Sequence, residues 1–387
     1  MTAADPRAEA PFRPRRQGQP WALICGGGTA GHVLPALAIG RELVARGHPP
    51  EDIVFVGAHH GIEGRLVPEA GFRVVLLPGR GLERRWSLDN LRAGAGLVAA
   101  ACQGVAFVAR HRPAVIVSVG GYASMPGVVG ATLLRVPLVA VEQNAAAGAA
   151  NRVAGRVARM SAVAFPATGL PREVVTGNPV RQEVLAVDRS HSSRTAARAA
   201  LGVPDSAVMV LAFGGSLGAR RINMAVRDLA QRWRDRAGVA IYHVVGARDW
   251  DLMQGSPFEP AAGGLWYRQV RYEDHMERAY AAADVALCRA GATTVSELAV
   301  VGLPSILIPL PGAPNDHQTA NARALVAAGA AVLVPDAEAT PERLAAELEG
   351  LMDPSRRAAM SERATSVAHR DSAAEVAGLV ECAAAGR

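Results

Sequence analysis

Two doubly wound α/β domains are what this 387-residue sequence predicts, and three observations carry that prediction. Continuous apolar runs rich in β-branched residues alternate with helical patterns almost throughout, as in parallel sheets covered by helices on both faces. Glycine-rich loops join a strand to a helix at Gly26–Gly31 and again at Gly214–Gly218. Between them a polar stretch, Asp188 to Arg198, marks a break after which the whole plan restarts.

The elements follow in order. Residues 1–20 carry Arg13, Arg15 and Arg16 among prolines with no apolar segment, the composition of a disordered basic tail rather than a signal peptide. Trp21–Cys25, Ile53–Val56, Val74–Leu77, Val115–Val119 and Leu138–Val141 are the strand-like runs of the first half. Helices are predicted from Val33 to Ala45 and over about 61–69, 88–111, 123–134 and 147–158. In the second half Val208–Phe213 is a strand and Arg221–Trp233 a helix, with strands at 239–245, 266–270, 284–288, 305–309 and 331–334. The halves also share a late motif. Gly120-Gly121-Tyr122-Ala123-Ser124 has its counterpart in Ala290-Gly291-Ala292-Thr293-Thr294. Two such domains facing each other place four loops around one cleft. The domains are expected at 21–180 and 181–365, with a final helix over about 366–387 packing back on the first.

Bulk properties narrow the function. Half the residues are apolar, which suits a globular protein. All 41 basic side chains are Arg, and the net charge of +6 admits an anionic partner without naming it. Aromatics are only 4% and do not interleave with arginine, which argues against a stacking platform for single-stranded nucleic acid, and no nucleic acid is expected as partner. The four cysteines form no C-x-x-C pair, so neither a metal site nor a disulfide is expected. The longest charge-free stretch, Ala93–Ala109, falls short of the ~20 apolar residues of a membrane span.

Each motif admits a plain and a functional reading. Gly26-x-Gly28-x-x-Gly31 matches a dinucleotide fingerprint, yet the second strand ends in Val56-Gly57-Ala58-His59-His60 without the acid that would hold a ribose. A Walker loop needs a lysine that this chain lacks. What survives is a phosphate or sugar site with His32 at its lip, a helix N-terminus supplying free N–H groups. Gly214-Gly215-Ser216-Leu217-Gly218 matches a hydrolase nucleophile elbow, with His243 or His317 and Asp284 or Asp316 able to complete a triad. Anion binding shared by the two related loops explains it better. Asp249-Trp250-Asp251 resembles a metal–diphosphate D-x-D pair but fits a helix cap more readily. Glu297 can accept from both hydroxyls of a ribose, or close a capping box with Thr294 as N-cap. Asn315 to Asn321 offers amide and imidazole groups suited to sugar hydroxyls, or to ordinary capping.

Together Gly27–Pro35, Gly120-Gly121-Tyr122, Glu142-Gln143-Asn144, Thr176–Arg181, Gly214–Ala219, Gly291–Glu297 and His317-Gln318 with Asn321 resemble the MurG family from about Trp21 onward. These bacterial transferases add N-acetylglucosamine to the undecaprenyl-linked muramyl-peptide precursor of peptidoglycan. The resemblance implies a GT-B fold of two Rossmann-like domains and an inverting transfer from UDP-N-acetylglucosamine, with no metal and no cofactor. It implies that Ser216 and Arg181 contact the diphosphate and Glu297 the ribose. Ala292, Thr293, Thr294, Val295 and Ser296 would meet the phosphates and nucleoside, and backbone near Glu273 the uracil. Gln318 and Asn144 would hold the sugar, approached by Thr29, Ala30 and Gly31, while Tyr122 and Glu142 belong to the acceptor side. His32 becomes the general base, kept neutral by its helix N-terminus. Three positions depart from the family pattern: Glu273 replaces an apolar residue, His317 stands where some relatives have Gln, and Ala145–Ala147 replaces a Pro-containing turn.

A lipid-linked acceptor implies peripheral binding to the cytoplasmic face of the membrane. Arg80, Arg84, Arg85 and Arg92 beside the apolar helix Leu91–Ala109 read either as an anionic-lipid patch or as solvated arginines by a helix of the Rossmann layer, and the two can coexist. Rival readings are another GT-B transferase with a different acceptor, a UDP-sugar epimerase, and a binding module without catalysis.

Overall fold

A computed structural model describes residues 19–78, 88–215, 218–255 and 258–386, with 88–98 described for the backbone alone. Two all-parallel sheets organise the chain. The first holds β1 (Ala22–Cys25), β2 (Ile53–Ala58), β3 (Arg73–Leu77), β4 (Val115–Ser118), β5 (Leu138–Glu142), β6 (Met160–Val163) and β7 (Glu173–Val175), in the order β3-β2-β1-β4-β5-β6-β7. The second holds β8 (Val208–Phe213), β9 (Val239–Val244), β10 (Trp266–Val270), β11 (Val285–Cys288), β12 (Ser305–Leu307) and β13 (Ala331–Leu333), in the order β10-β9-β8-β11-β12-β13. In both, strand order reverses beside the first strand, so the crevice of each sheet opens between β1 and β4 and between β8 and β11.

The central strands are buried along their whole length, β1, β2, β4 and β5 in the first sheet and β9 and β11 in the second. That is why they read as largely apolar runs without alternation: both faces are covered, and there is no solvent side to mark. Packed layers lie on the two faces of each sheet, Ile24, Leu37, Ile39 and Phe55 on one side of the first and Leu23, Val54, Ile116 and Val128 on the other.

The last two strands of the first sheet depart from the sequence expectation. Neither β6 nor β7 was predicted as a strand. β7 is three residues long, and Val174 and Val175 are exposed, so it lacks the buried run that marks the others. The helix predicted from Val33 starts three residues earlier, at Ala30, which puts His32 in its first turn.

The chain crosses between sheets twice. It leaves the first through 177–181, and after the second sheet it returns through helices Pro341–Gly350, Pro354–Ser366 and Ser372–Ala384. Val376, Ala377, Val380 and Ala383 of the last helix pack into the core of the first sheet with Leu37 and Leu43. Arg46 fastens it from outside, donating to Glu381 at 3.0 Å and to the Ala374 carbonyl at 2.7 Å.

Candidate functional site

The two crevices bring together loops that are far apart in sequence. Gly26–Thr29 follows β1 and Val119–Gly121 follows β4, and they pack backbone against backbone. A Cβ on Gly26 would lie 2.4 Å from Val119 and 2.7 Å from the Gly120 carbonyl; one on Gly121 would lie 3.0 Å from the Gly27 carbonyl. Gly26 and Gly121 also take φ of 146° and 75°, where a side chain is strained. The His32 ring lies over this seam, within 3.4 Å of where a Gly120 Cβ would stand and 3.7 Å of the Gly121 position.

Thr29 is the N-cap of the helix that carries His32, yet its hydroxyl makes no capping bond. It pairs instead with His32 Nδ1 at 3.1 Å. Burial lowers the His32 affinity for a proton below the ordinary 6.5; Glu142 and Glu63 act the other way, and His317 adds to the lowering. The imidazole is therefore neutral near neutral pH, as the sequence suggested, but desolvation rather than the helix terminus is the leading cause.

A buried carboxylate that the sequence reading passed over builds this loop. Glu63 is 2% exposed and accepts from Gly28 N–H at 2.9 Å and Ala58 N–H at 2.8 Å. Gly27, Gly57 and Gly61 leave the room it fills, since a Cβ on any of them would come within 2.3 Å of it. An internal anion thus already occupies one N–H of the glycine loop. This lip is poorly suited to hold a phosphate as its main task, in keeping with the failure of the dinucleotide reading.

Glu142 does the same for the next loop. Its Oε1 accepts from Asn144 N–H (2.9 Å) and Nδ2 (3.2 Å), its Oε2 from Gly148 N–H (2.9 Å) and Asn151 Nδ2 (3.0 Å). With four donors on it and 2% exposure, Glu142 acts on the cleft by shaping the loop and by its field on His32. Tyr122, half-buried, stands beside Gly28.

Across the gap the helix Ala292–Val301 begins at N-cap Gly291, directly after β11. Thr294 is therefore inside the helix, and the capping-box reading of Thr294 and Glu297 does not hold. Glu297, 4% exposed, instead accepts from Arg181 Nε (3.2 Å) and Nη2 (3.0 Å) on Oε1 and from the Tyr280 hydroxyl (2.9 Å) on Oε2. Burial raises its carboxyl above the ordinary carboxylate range, opposed first by Arg181.

The halves also touch directly. Asn321, fully buried, donates to Asn144 Oδ1 at 3.2 Å and accepts from Ala145 N–H at 2.8 Å. Gln318 Oε1 accepts from Leu310 N–H at 2.9 Å, and Glu273 accepts from the Tyr242 hydroxyl at 2.6 Å. Of the other predicted positions, Thr29 is exposed, Ala30, Gly31, Thr293, Thr294 and Ser296 are half-buried, and Ala292 and Val295 are buried. Ser216 lies outside the described residues, as do Arg80, Arg84, Arg85 and the side chain of Arg92.

Among the described residues no base–orienter pair of the triad alternative forms: neither His243 nor His317 bonds to Asp284 or Asp316. His243 is buried between Tyr267, 2.9 Å from Nδ1, and Asn223, 3.0 Å from Nε2, and burial drives its pKa down to about 3. Asp284 is paired with Arg198 and Arg194 at 2.6 and 2.8 Å, and His317 Nδ1 donates to the Pro314 carbonyl. Asp249 does start a helix but makes no capping bond. Its carboxylate is fully buried and holds Arg220 (3.0 Å) and Asn223 (3.2 Å), bracing the segment after β9. The cap reading is replaced by that of a structural ion pair.

Two all-parallel sheets, each with its crevice at a switch point, define a GT-B fold, and the family matches make it that of a glycosyltransferase. Residues 22–163 match the glycosyltransferase family 28 N-terminal domain and 209–376 its C-terminal domain. The chain is 40% identical over 354 residues to the UDP-N-acetylglucosamine–N-acetylmuramyl-(pentapeptide) pyrophosphoryl-undecaprenol N-acetylglucosamine transferase of Desulforudis audaxviator, covering 87% of this chain and 91% of that one. The enzyme of the same name from Clavibacter sepedonicus is 40% identical, over 94% and 97% of the two chains. Among solved structures, MurG of Acinetobacter baumannii aligns over 93% of this chain and 99% of its own with a TM-score of 0.73 and 28% identity. A UDP-GlcNAc 2-epimerase from Neisseria meningitidis shares the fold alone, at 11% identity and a TM-score of 0.62. The chain belongs to glycosyltransferase family 28 and, within it, to the MurG family.

Proposed function

We propose that this protein transfers N-acetylglucosamine from UDP-N-acetylglucosamine to the C4 hydroxyl of the muramyl sugar of an undecaprenyl-pyrophosphoryl muramyl-peptide, with inversion. The observation that carries the reading is the cleft itself. A neutral histidine is seated on the two glycine loops of the first sheet, an Arg–Glu pair stands at the switch point of the second, and His317 of the second half acts on His32. Residues 21–180 with the last helix form the acceptor side, and 181–365 the donor side.

The chemistry follows from these groups. In the tautomer whose Nδ1–H donates to Thr29, Nε2 of His32 keeps a free lone pair and takes the proton of the acceptor hydroxyl as its oxygen bonds to the anomeric carbon. The bond from that carbon to the β-phosphate oxygen breaks, and UDP leaves with the electron pair. Arg181 and the N–H groups at the start of helix Ala292–Val301 stabilise the charge that develops there. Ser216, Ala292, Thr293, Thr294, Val295 and Ser296 line the diphosphate and nucleoside, backbone near Glu273 meets the uracil, and Glu297 takes the ribose. Asn144 and Gln318 hold the sugar beside Thr29, Ala30 and Gly31, and Tyr122 meets the acceptor.

Among the described residues no helix is long and apolar enough to cross a membrane. An anionic membrane surface is proposed as partner. Leu133 (66% exposed), Val153 and Val157 are exposed apolar side chains, and Arg135, Val157 and Arg159 line one shallow depression beside them. Such a basic-apolar face inserts shallowly and is held by lipid charge.

The deciding experiment supplies labelled UDP-N-acetylglucosamine and the lipid-linked muramyl acceptor and looks for disaccharide-lipid with released UDP. Donor hydrolysis or epimerisation without transfer would reject the reading.

A further inference from the structure

Tyr280 lies in the helix Met276–Ala282 and is 1% exposed. Its ring packs edge-on against Phe213 at 6.2 Å, the last residue of β8, so the sheet that leads into the second glycine loop also seats the phenol. Its hydroxyl donates to Glu297 Oε2 at 2.9 Å. The other oxygen of that carboxylate is taken twice by Arg181, at 3.0 and 3.2 Å.

This arrangement sets a constraint on donor binding. Both bonds of the one guanidinium fall on Oε1, while Oε2 takes the Tyr280 hydroxyl. To reach a diphosphate Arg181 gives up at least one of these bonds, and Oε1 is then open to a ribose hydroxyl. Arg181 can do so: its side chain is 23% exposed, while that of Glu297 is 6% exposed and fixed within a helix. Once the arginine turns away, Tyr280 is what holds the carboxylate.

We propose that Tyr280 is a positioning residue for donor recognition, fixing Glu297 so that Arg181 can leave it for the diphosphate while the ribose takes its place. The proposal rests on the reading of Glu297 as the ribose acceptor and Arg181 as the diphosphate cation. One ion pair then reads both ends of a nucleoside diphosphate. Uridine alone would meet an Oε1 still held by an arginine that has nowhere to go. Pyrophosphate alone would strip a buried carboxylate of its cation. Burial holds the Tyr280 phenol well above its ordinary range, so it stays protonated and remains a donor throughout.

The test compares UDP with 2′-deoxy-UDP by calorimetry on the wild type and on Tyr280→Phe, with steady-state rates against donor concentration. Losing a hydrogen bond to a charged group should weaken UDP binding about tenfold and raise donor KM by a similar factor, with kcat within about twofold. Binding of 2′-deoxy-UDP should fall less, so the ratio between the two nucleotides shrinks. Phe213→Leu loosens the ring's seat without removing the hydroxyl; it should lower the melting temperature and leave the ratio intact. A Tyr280→Phe variant that loses equally toward both nucleotides, or keeps the wild-type ratio, overturns the proposal and leaves Tyr280 a packing residue. A wild type that binds the two nucleotides equally overturns the ribose reading as well.

Discussion

Glu63→Gln is the most demanding test of how the His32 lip is built. The wild-type carboxylate holds two backbone N–H groups at 2.8 and 2.9 Å in a space closed by three glycines. Bonds to a charged acceptor contribute about 1.5–3 kcal/mol each. Glutamine has nearly the same shape but a single acceptor oxygen. It can keep one of the two bonds, and its NH2 must then face the other N–H in a donor–donor contact. The loss is one charge-assisted bond plus one buried, orphaned N–H, or about 2–4 kcal/mol in all. Urea unfolding of the first domain reads this directly. A second readout follows the charge. Glu63 raises the proton affinity of His32, so removing it moves the acid limb of the kcat/KM profile to lower pH. A stability loss below about 0.5 kcal/mol, or an acid limb displaced to higher pH, would refute the account of this carboxylate.

Further outcomes are expected at other sites. His32→Ala should lower turnover by about 10²–10⁴-fold with UDP affinity unchanged, and the wild-type acid limb should fall below 6.5 because burial depresses the imidazole; retained turnover removes His32 from its role. Glu297→Ala should instead weaken donor binding, with calorimetry at wild-type affinity counting against it. His243 has a folded value of about 3, below its ordinary 6.5, so the stability it contributes is full above pH 6.5 and is lost as pH falls toward 3. His243→Leu should therefore flatten that acid slope in thermal melts while costing about 2–3 kcal/mol at neutral pH through its orphaned partners. Charge reversal at Arg135 and Arg159 should reduce partition onto anionic vesicles at least about tenfold, and partition insensitive to both the variant and salt would dismiss that surface.

The architecture was readable because a strand buried on both faces is apolar at nearly every position, as Ile53–Val56 and Leu138–Val141 are. β7 escaped notice because Val174 and Val175 are exposed at a sheet edge and only three residues pair. The glycine loops and His32 were legible as a local pattern: strand, tight turn, helix start. Their supports were not. Glu63 reads as one more acid near a helix start until Gly27, Gly57 and Gly61 are seen to converge on it. Asp249 and Glu297 sit at spacings that suit capping, yet both serve ion pairs with residues 29 and 116 positions away. Sequence spacing ranks local partners first, and burial decided otherwise.

The return of the last helix to the first sheet has a consequence for how the molecule is made. The core around Leu37 and Leu43 is closed by Val376, Ala377, Val380 and Ala383, which are synthesised some three hundred residues later. The second domain, contained between two crossings, has all of its strands by Leu333 and can fold while translation continues. The first cannot finish until residues 372–384 arrive. The half of the cleft that carries His32 is thus begun first and completed last, and its apolar seat is open in the interval, a window in which a growing chain depends on whatever shields it.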